Sequence, residues 1–145
     1  MVISSKPYET KASDLKPSWK VMDADGKTLG RFASEIATVL TGKDNPLYVP
    51  HLLCGGYVIV INADKIHVTG NKLAQKRYYR HSGYHGGLKE RTLQQMMDKT
   101  PDRVIKAAVK GMLPKSALGR KMLARMKVYS GADHPHQAQV GASSE

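Results

Sequence analysis

Residues 57–62 read Tyr-Val-Ile-Val-Ile-Asn, and this run decides the fold. Its apolar residues follow one another without polar alternation, which predicts a strand covered on both faces. Such strands are typical of parallel sheets that are flanked by helices. The run is also the longest apolar one in the chain, well short of the roughly 18 residues that a membrane span needs. We therefore expect no membrane-spanning segment.

Two regular elements are predicted before this strand and one after it. A short strand at Trp19–Met22 ends at the turn signature Asp-Ala-Asp-Gly of residues 23–26. A helix is predicted at Arg31–Thr41, because its apolar residues recur at helical spacing and Gly42 follows at the C-terminal cap. A weaker strand is predicted at Ile66–Thr69.

The last third of the chain has the apolar spacing of helices. One short helix is marked by Leu93, Met96 and Met97, a second is predicted to be capped by Thr100, and a third by Ser116. A brief strand, 127–129, follows. This order of elements predicts an α/β fold with a small, mostly parallel sheet. We expect an N-terminal arm at 1–18, one domain at 19–139 and a C-terminal tail at 140–145.

Positive charge is concentrated in one part of the chain. Residues 65–127 contain sixteen Lys or Arg and three acids, whereas the other residues contain seven Lys or Arg and nine acids. A basic surplus segregated in this way predicts a surface that faces a polyanion. The single cysteine, Cys54, excludes an internal disulfide and a multi-cysteine zinc site. No apolar block of signal-peptide length occurs near the N-terminus, so export is not expected.

The third predicted helix carries cations without acidic partners. Arg120, Lys121 and Arg125 flank its apolar positions, and Lys127 follows it, yet no acid occurs between Asp102 and Asp133. A solvated helix face normally mixes signs, because like charges one turn apart repel each other. We interpret this face as a phosphate-binding surface, the alternative being a merely soluble basic face.

A second candidate segment joins cations, tyrosines and glycines. Residues 72–81 read Lys-Leu-Ala-Gln-Lys-Arg-Tyr-Tyr-Arg-His. Residues 80–87 contain three glycines, which predicts an irregular loop there. Arg and Lys bind phosphate, and exposed tyrosines stack on unpaired bases. For each tyrosine, packing in the core is an equally good interpretation.

Catalysis and metal binding are less well supported by the residue pattern. His81 and His85 are four apart, but the glycines around them argue against the helix that would join two such ligands. No phosphate-binding glycine motif or nucleophile elbow is present. Two other functions are kept as alternatives, a nuclease using His81, His85 or His136 and a free-standing regulatory RNA-binding protein.

Three further stretches carry a resemblance to a known family. Residues 109–120 read Val-Lys-Gly-Met-Leu-Pro-Lys-Ser-Ala-Leu-Gly-Arg, 126–131 read Met-Lys-Val-Tyr-Ser-Gly, and 134–136 read His-Pro-His. With supporting blocks from residue 19 onward, the chain resembles the ribosomal large-subunit protein thirteen family of the bacterial and organellar type over about 19–139.

The resemblance implies a three-layer α/β/α fold around a small, mostly parallel sheet. It also implies a structural protein of the large ribosomal subunit rather than an enzyme. Such a protein binds large-subunit rRNA directly, acts early in subunit assembly, contacts neighbouring ribosomal proteins, and needs no cofactor, metal or small-molecule substrate. Its expected location is the ribosome of the cytoplasm, or of an organelle matrix. The residues and the resemblance together give these expected rRNA contacts: Lys72, Lys76, Arg77, Tyr78, Tyr79, Arg80, His81, Ser82, Gly83, Tyr84, Lys110, Lys115, Arg120, Lys121, Arg125, Lys127, His134 and His136.

Overall fold

A computed structural model describes residues 8–142 of the chain. The ends of the predicted arm and tail, residues 1–7 and 143–145, lie outside the described residues, and the division into arm, domain and tail stays a prediction. The strands and helices are β1 (Trp19–Asp23), α1 (Leu29–Thr41), β2 (Tyr57–Ile61), α2 (Lys72–Gln75), β3 (Arg77–His81), β4 (Leu88–Thr92), α3 (Leu93–Lys99), α4 (Pro101–Met112), α5 (Ala117–Ala124), β5 (Met126–Val128) and α6 (Gln137–Ala142).

The strand at 57–61 is the centre of a three-stranded parallel sheet. It pairs with β1 on one side and with β5 on the other, so that Ile59 lies between Val21 and Lys127. Val58, Ile59 and Val60 are all fully buried. The predicted α/β fold with a small, mostly parallel sheet is therefore confirmed, as is the strand covered on both faces.

The two faces of this sheet are covered differently. Val58 and Val60 point to one face and join the main hydrophobic core, to which α1, α4 and α5 also contribute. The opposite face carries Trp19, whose ring stacks on Tyr57 at 4.3 Å between ring centroids. His136 stacks on Trp19 in turn, and α6 packs against β1. The C-terminal segment thus forms a thin layer on the second face.

Helix α1 forms where its apolar spacing predicted it, beginning two residues earlier than expected. It ends at Gly42, which adopts a left-handed conformation (φ 81°) and donates its N–H to the Thr38 carbonyl at 3.0 Å. A Cβ atom at Gly42 would lie 2.7 Å from the backbone of Cys54. Both the conformation and the close approach therefore require glycine at this cap.

The predicted strand at Ile66–Thr69 is wrong. In this stretch the described residues form a single isolated bridge, between His67 and Thr28. The His67 carbonyl accepts the N–H of Leu29, which already belongs to α1. The pairing cannot continue because its partner segment turns into a helix.

The helix caps were predicted in part. Ser116 caps α5 as expected, its hydroxyl accepting the Gly119 N–H at 3.3 Å. Thr100 precedes α4, but its side chain makes no capping bond, and its hydroxyl oxygen is buried without a partner. Thr92 instead forms a capping box with Gln95 at the start of α3. No helix of the described residues is both long and apolar enough to cross a bilayer.

Candidate nucleic-acid interface

Strands β3 and β4 form an antiparallel hairpin that carries four of the cations of residues 65–127: Arg77, Arg80, Lys89 and Arg91. The prediction of irregular structure from residue 80 is wrong for Arg80 and His81, which pair with Lys89 and Leu88. Because the glycines all lie at 83, 86 and 87, only residues 82–87 form the connecting loop. The hairpin therefore gives the basic residues a fixed register and two distinct faces.

The inner face of the hairpin is defined by the cross-strand pairs Tyr78–Arg91 and Arg80–Lys89. It borders a cavity of about 610 Å³ that is also lined by Met96 of α3 and by Arg103 of α4. We call this cavity the basic groove; its four cations are Arg80, Lys89, Arg91 and Arg103. None of the described acidic residues lines this groove. Within residues 8–142, none of the four forms an ion pair.

The outer face of the hairpin is close to neutral. Arg77 forms an ion pair with Glu90, the only acid in the two strands, and the two charges cancel. Tyr79 and Leu88 are 62% and 60% exposed on this face. The hairpin thus separates a cationic inner face from an outer face on which the charges of Arg77 and Glu90 cancel.

The loop that joins the strands is held by local hydrogen bonds. The Gly83 N–H donates to His81 Nδ1 at 2.9 Å, and the Gly87 N–H donates to the Tyr84 carbonyl at 2.9 Å. Tyr84 is the most exposed of the described tyrosines, at 80%. Its ring is therefore free to stack on a planar partner.

Tyr78 differs in its surroundings from Tyr79 and Tyr84. It is half-buried against the hydrophobic core, and its hydroxyl is buried without a hydrogen-bond partner. Burial raises the pKa of the Tyr78 phenol above its usual value. The Lys76 ammonium lies 5.4 Å from the centre of its ring. Of the two interpretations left open for each tyrosine, core packing thus describes Tyr78, whereas Tyr79 and Tyr84 are exposed.

The corner between α4 and α5 gathers three other predicted residues. Lys110, Lys115 and Arg120 line a concavity of about 250 Å³. Its apolar lining comes from Leu113 and Pro114, which connect the two helices, and from Leu123 of α5. Lys121 is exposed on the next position of α5. This corner, defined here by those four cations, coincides with the Gly-Met-Leu-Pro stretch of the sequence.

Arg125 and Lys127 differ in their surroundings. Arg125 donates to the Gly55 carbonyl, and its guanidinium lies 5.0 Å from the centre of the Tyr57 ring. These contacts engage it in holding the 55–57 segment, so an rRNA contact by Arg125 stays a prediction. Lys127 is exposed on the second face of the parallel sheet, opposite Ile59 in register.

The histidine pair near the C-terminus is engaged in packing. His136 Nε2 lies 2.8 Å from the Tyr129 hydroxyl, and the His136 N–H donates to His134 Nδ1 at 3.3 Å. Across the described part of the chain, no group of three or more His, Cys, Asp or Glu side chains could hold a metal ion.

Of the remaining predicted residues, Ser82 lines the basic groove, whereas Lys72 and Lys76 lie away from both basic concavities. Lys72 and Lys76 border a mostly apolar cavity of about 630 Å³ between α2, α3 and α4. Sequence reasoning missed Lys89, Arg91 and Arg103. The period-two spacing of Lys89 and Arg91 was a usable signal for a strand face, but the approach of Arg103 depends on tertiary packing.

The fold and this surface together define a basic α/β domain whose unpaired cations line concave surfaces. A family model described as ribosomal protein L13 matches residues 17–135. The chain belongs to the ribosomal protein L13 family, as its motifs predicted, and this is a family of structural proteins rather than enzymes.

Curated relatives agree along nearly the whole chain. The chain is 59% identical to large ribosomal subunit protein uL13 of Aquifex aeolicus over 134 residues, which cover 92% of this chain and 93% of that protein. It is 56% identical to the protein of the same name from Agathobacter rectalis and 54% identical to that of Marinomonas sp.; each match covers 92% of this chain and 94% of the relative.

Proposed function

We propose that this protein is a structural constituent of the large ribosomal subunit that binds large-subunit rRNA directly and joins the particle early in assembly. The observation that carries the proposal is that the cations of the basic groove and of the α4–α5 corner have no acidic partner among residues 8–142. Phosphate groups of rRNA supply the missing counterions. The relatives named above carry the name of a large-subunit protein.

The geometry supports recognition of RNA by rigid, preformed surfaces. The groove is bordered by a paired hairpin and two helices, and the corner lies between two packed helices. A surface held by the protein's own core is ready to bind rRNA before other proteins arrive. This independence is what supports a role early in assembly.

The proposed contact residues are those predicted from the sequence, with emphasis on the exposed ones. Within that set, Arg80, Lys110, Lys115, Arg120 and Lys121 are exposed cations without an ion pair in the described part of the chain. Neighbouring large-subunit proteins are the other proposed partners, and the ribosome is the proposed location.

Charge reversal at the corner tests direct binding. The double variant Arg120→Glu/Lys121→Glu should bind protein-free large-subunit rRNA at least about tenfold more weakly at low salt, with a smaller salt dependence. The matched control is Lys20→Glu/Lys43→Glu, which also replaces two positive charges by negative ones, at exposed positions outside residues 65–127. An rRNA affinity and salt dependence equal to the control's would remove the corner from the binding surface.

Order of addition tests the assembly role. The wild-type protein should bind large-subunit rRNA from which all proteins have been removed, and the bound protein should sediment with the large subunit after reconstitution. A requirement for several previously bound ribosomal proteins would contradict early entry.

A further inference from the structure

The basic groove has a more specific property than general attraction to RNA. Its four cations come from three separate stretches of chain, β3, β4 and α4, and they converge on one concavity. Arg80 and Lys89 are directly opposite each other across the hairpin, and Arg91 lies two residues from Lys89 on the same face. The described part of the chain places no acid in the groove lining, since Glu90 points to the outer face, where it pairs with Arg77.

Concave shape discriminates between two forms of RNA. A duplex presents its phosphates on a convex cylinder, which would touch the rims of a groove but not its interior. A single strand can enter a groove, where phosphates reach cations on both walls. The volume of about 610 Å³ is within the range of pockets that enclose small organic ligands, and so is sufficient for one nucleotide.

The less polar part of the groove lining provides the complementary surface for a base. Tyr78 and Met96 line the groove together with the four cations, and Tyr79, His81 and Ser82 complete the lining. Met96 belongs to the hydrophobic core and Tyr78 packs against it. A cationic groove with an aromatic group in it is the usual arrangement for binding unpaired nucleotides. The charged walls suit phosphates, and the less polar part of the lining suits a base or a ribose.

We infer that the basic groove binds a single strand of unpaired rRNA, with phosphates held by Arg80, Lys89, Arg91 and Arg103 and one nucleotide lying against Tyr78 and Met96. This inference rests on the proposed rRNA binding and adds the form of RNA and three contact residues.

The test compares a groove variant with a charge-matched control in the full-length protein. The groove variant is Arg91→Gln/Arg103→Gln, and the control is Lys20→Gln/Lys43→Gln; all four residues are exposed and lack ion pairs in the described part of the chain. Thermal unfolding checks that each variant folds. The ligands are large-subunit rRNA, a single-stranded oligoribonucleotide of about 12 nucleotides and a duplex of about 16 base pairs.

The groove variant should bind the single strand about tenfold or more weakly than the control. Its slope of log K against log salt should fall by about 1.4, which is about 0.7 for each lost phosphate contact. Its affinity for the duplex should equal that of the control. The charge-preserving variant Arg91→Lys/Arg103→Lys should recover most of the single-strand affinity.

Two results would overturn the inference while the proposed function stands. The first is that the groove variant binds rRNA as tightly as the wild type and the control do. The second is that the groove variant binds the single strand and the duplex equally more weakly than the control. A wild-type protein that binds no rRNA would overturn the proposed function itself, and the inference with it.

Discussion

Arg80 and Lys89 lie directly opposite each other on the paired strands of the hairpin. Like charges in such cross-strand positions destabilise a sheet. Neither residue has an ion pair within the described part of the chain. The free protein therefore carries an electrostatic repulsion that a bound phosphate would relieve. Removing one of the two positive charges should raise the stability of the free protein and lower its affinity for RNA.

Reversing one of these charges tests that opposition. Lys89→Glu should raise the free energy of unfolding of the free protein by roughly 0.2–1 kcal/mol, because a like-charge pair becomes an opposite-charge pair. The same change should weaken binding to large-subunit rRNA by about tenfold. Urea denaturation and equilibrium binding measure the two effects. Lys20→Glu, opposite the apolar Val58, is the control and should give neither. A less stable Lys89→Glu protein with unchanged affinity would refute the relationship.

The α4–α5 corner depends on a close approach at Gly119. A Cβ atom there would lie 1.8 Å from the Pro114 carbonyl oxygen, which is backbone and cannot give way cheaply. Gly119→Ala should therefore lower the free energy of unfolding by about 1–3 kcal/mol and displace the cations of the corner. Gly111→Ala is the matched control, since it lies in α4 with no atom within 4 Å of the added methyl group. It should stabilise the protein by about 0.5–1 kcal/mol. If both variants changed the free energy of unfolding in the same direction, the packing argument would be refuted.

Removing the buried hydroxyl group of Tyr78 should not destabilise the protein. Tyr78→Phe should leave the free energy of unfolding unchanged or raise it by up to about 1 kcal/mol, because the hydroxyl has no partner. Tyr79→Phe, with its ring exposed, should change it by less than about 0.5 kcal/mol. Marked destabilisation by Tyr78→Phe would show that the hydroxyl is satisfied.

The same residue predicts an alkaline pH dependence. Burial raises the folded-state pKa of Tyr78 above 10.0, so the unfolded chain loses this proton first as the pH rises. The contribution to stability is complete below pH 10 and is lost as the pH rises through the folded-state pKa. Denaturation curves from pH 8 to 11 should show a smaller alkaline loss in Tyr78→Phe than in wild type. Identical pH profiles would contradict the shift.

Arg125 and Arg120 should have opposite phenotypes. Arg125→Gln removes the contacts with Gly55 and Tyr57, so it should lower the free energy of unfolding by about 1–2 kcal/mol with little change in the salt dependence of rRNA binding. Arg120→Gln should change stability by less than about 0.5 kcal/mol but reduce the salt slope by about 0.9. If Arg125→Gln lowered the salt slope and left stability unchanged, Arg125 would be an rRNA contact and not a structural residue.

The parts of the fold that were predictable are those encoded by local spacing. The unbroken run 57–61 identified a covered strand, and the apolar spacing before Gly42 identified α1. Ile66–Thr69 has a strand-like composition too, but its pairing is stopped by the start of α1, which a local pattern does not reveal. The family motifs identified the protein class because they are specific in sequence, not because they encode a geometry.

The positive charge of the candidate site was predictable from the sequence, but which cations lie together in the structure was not. The basic surplus of residues 65–127 indicated a polyanion-binding surface before any geometry was known. The basic groove depends on the register of β3 against β4 and on the packing of α4 beside them, so Arg103 could not be joined to Arg80 from the sequence. Arg125 has the composition of an RNA contact, yet its guanidinium binds a carbonyl seventy positions away.

The most direct test of the central claim is the salt dependence of wild-type binding to protein-free large-subunit rRNA. With about six phosphate contacts, the association constant should fall by roughly a thousandfold between about 50 and 200 mM monovalent salt, with a steep linear slope of log K against log salt. An association constant that stays within about threefold over that range would contradict binding through these cations.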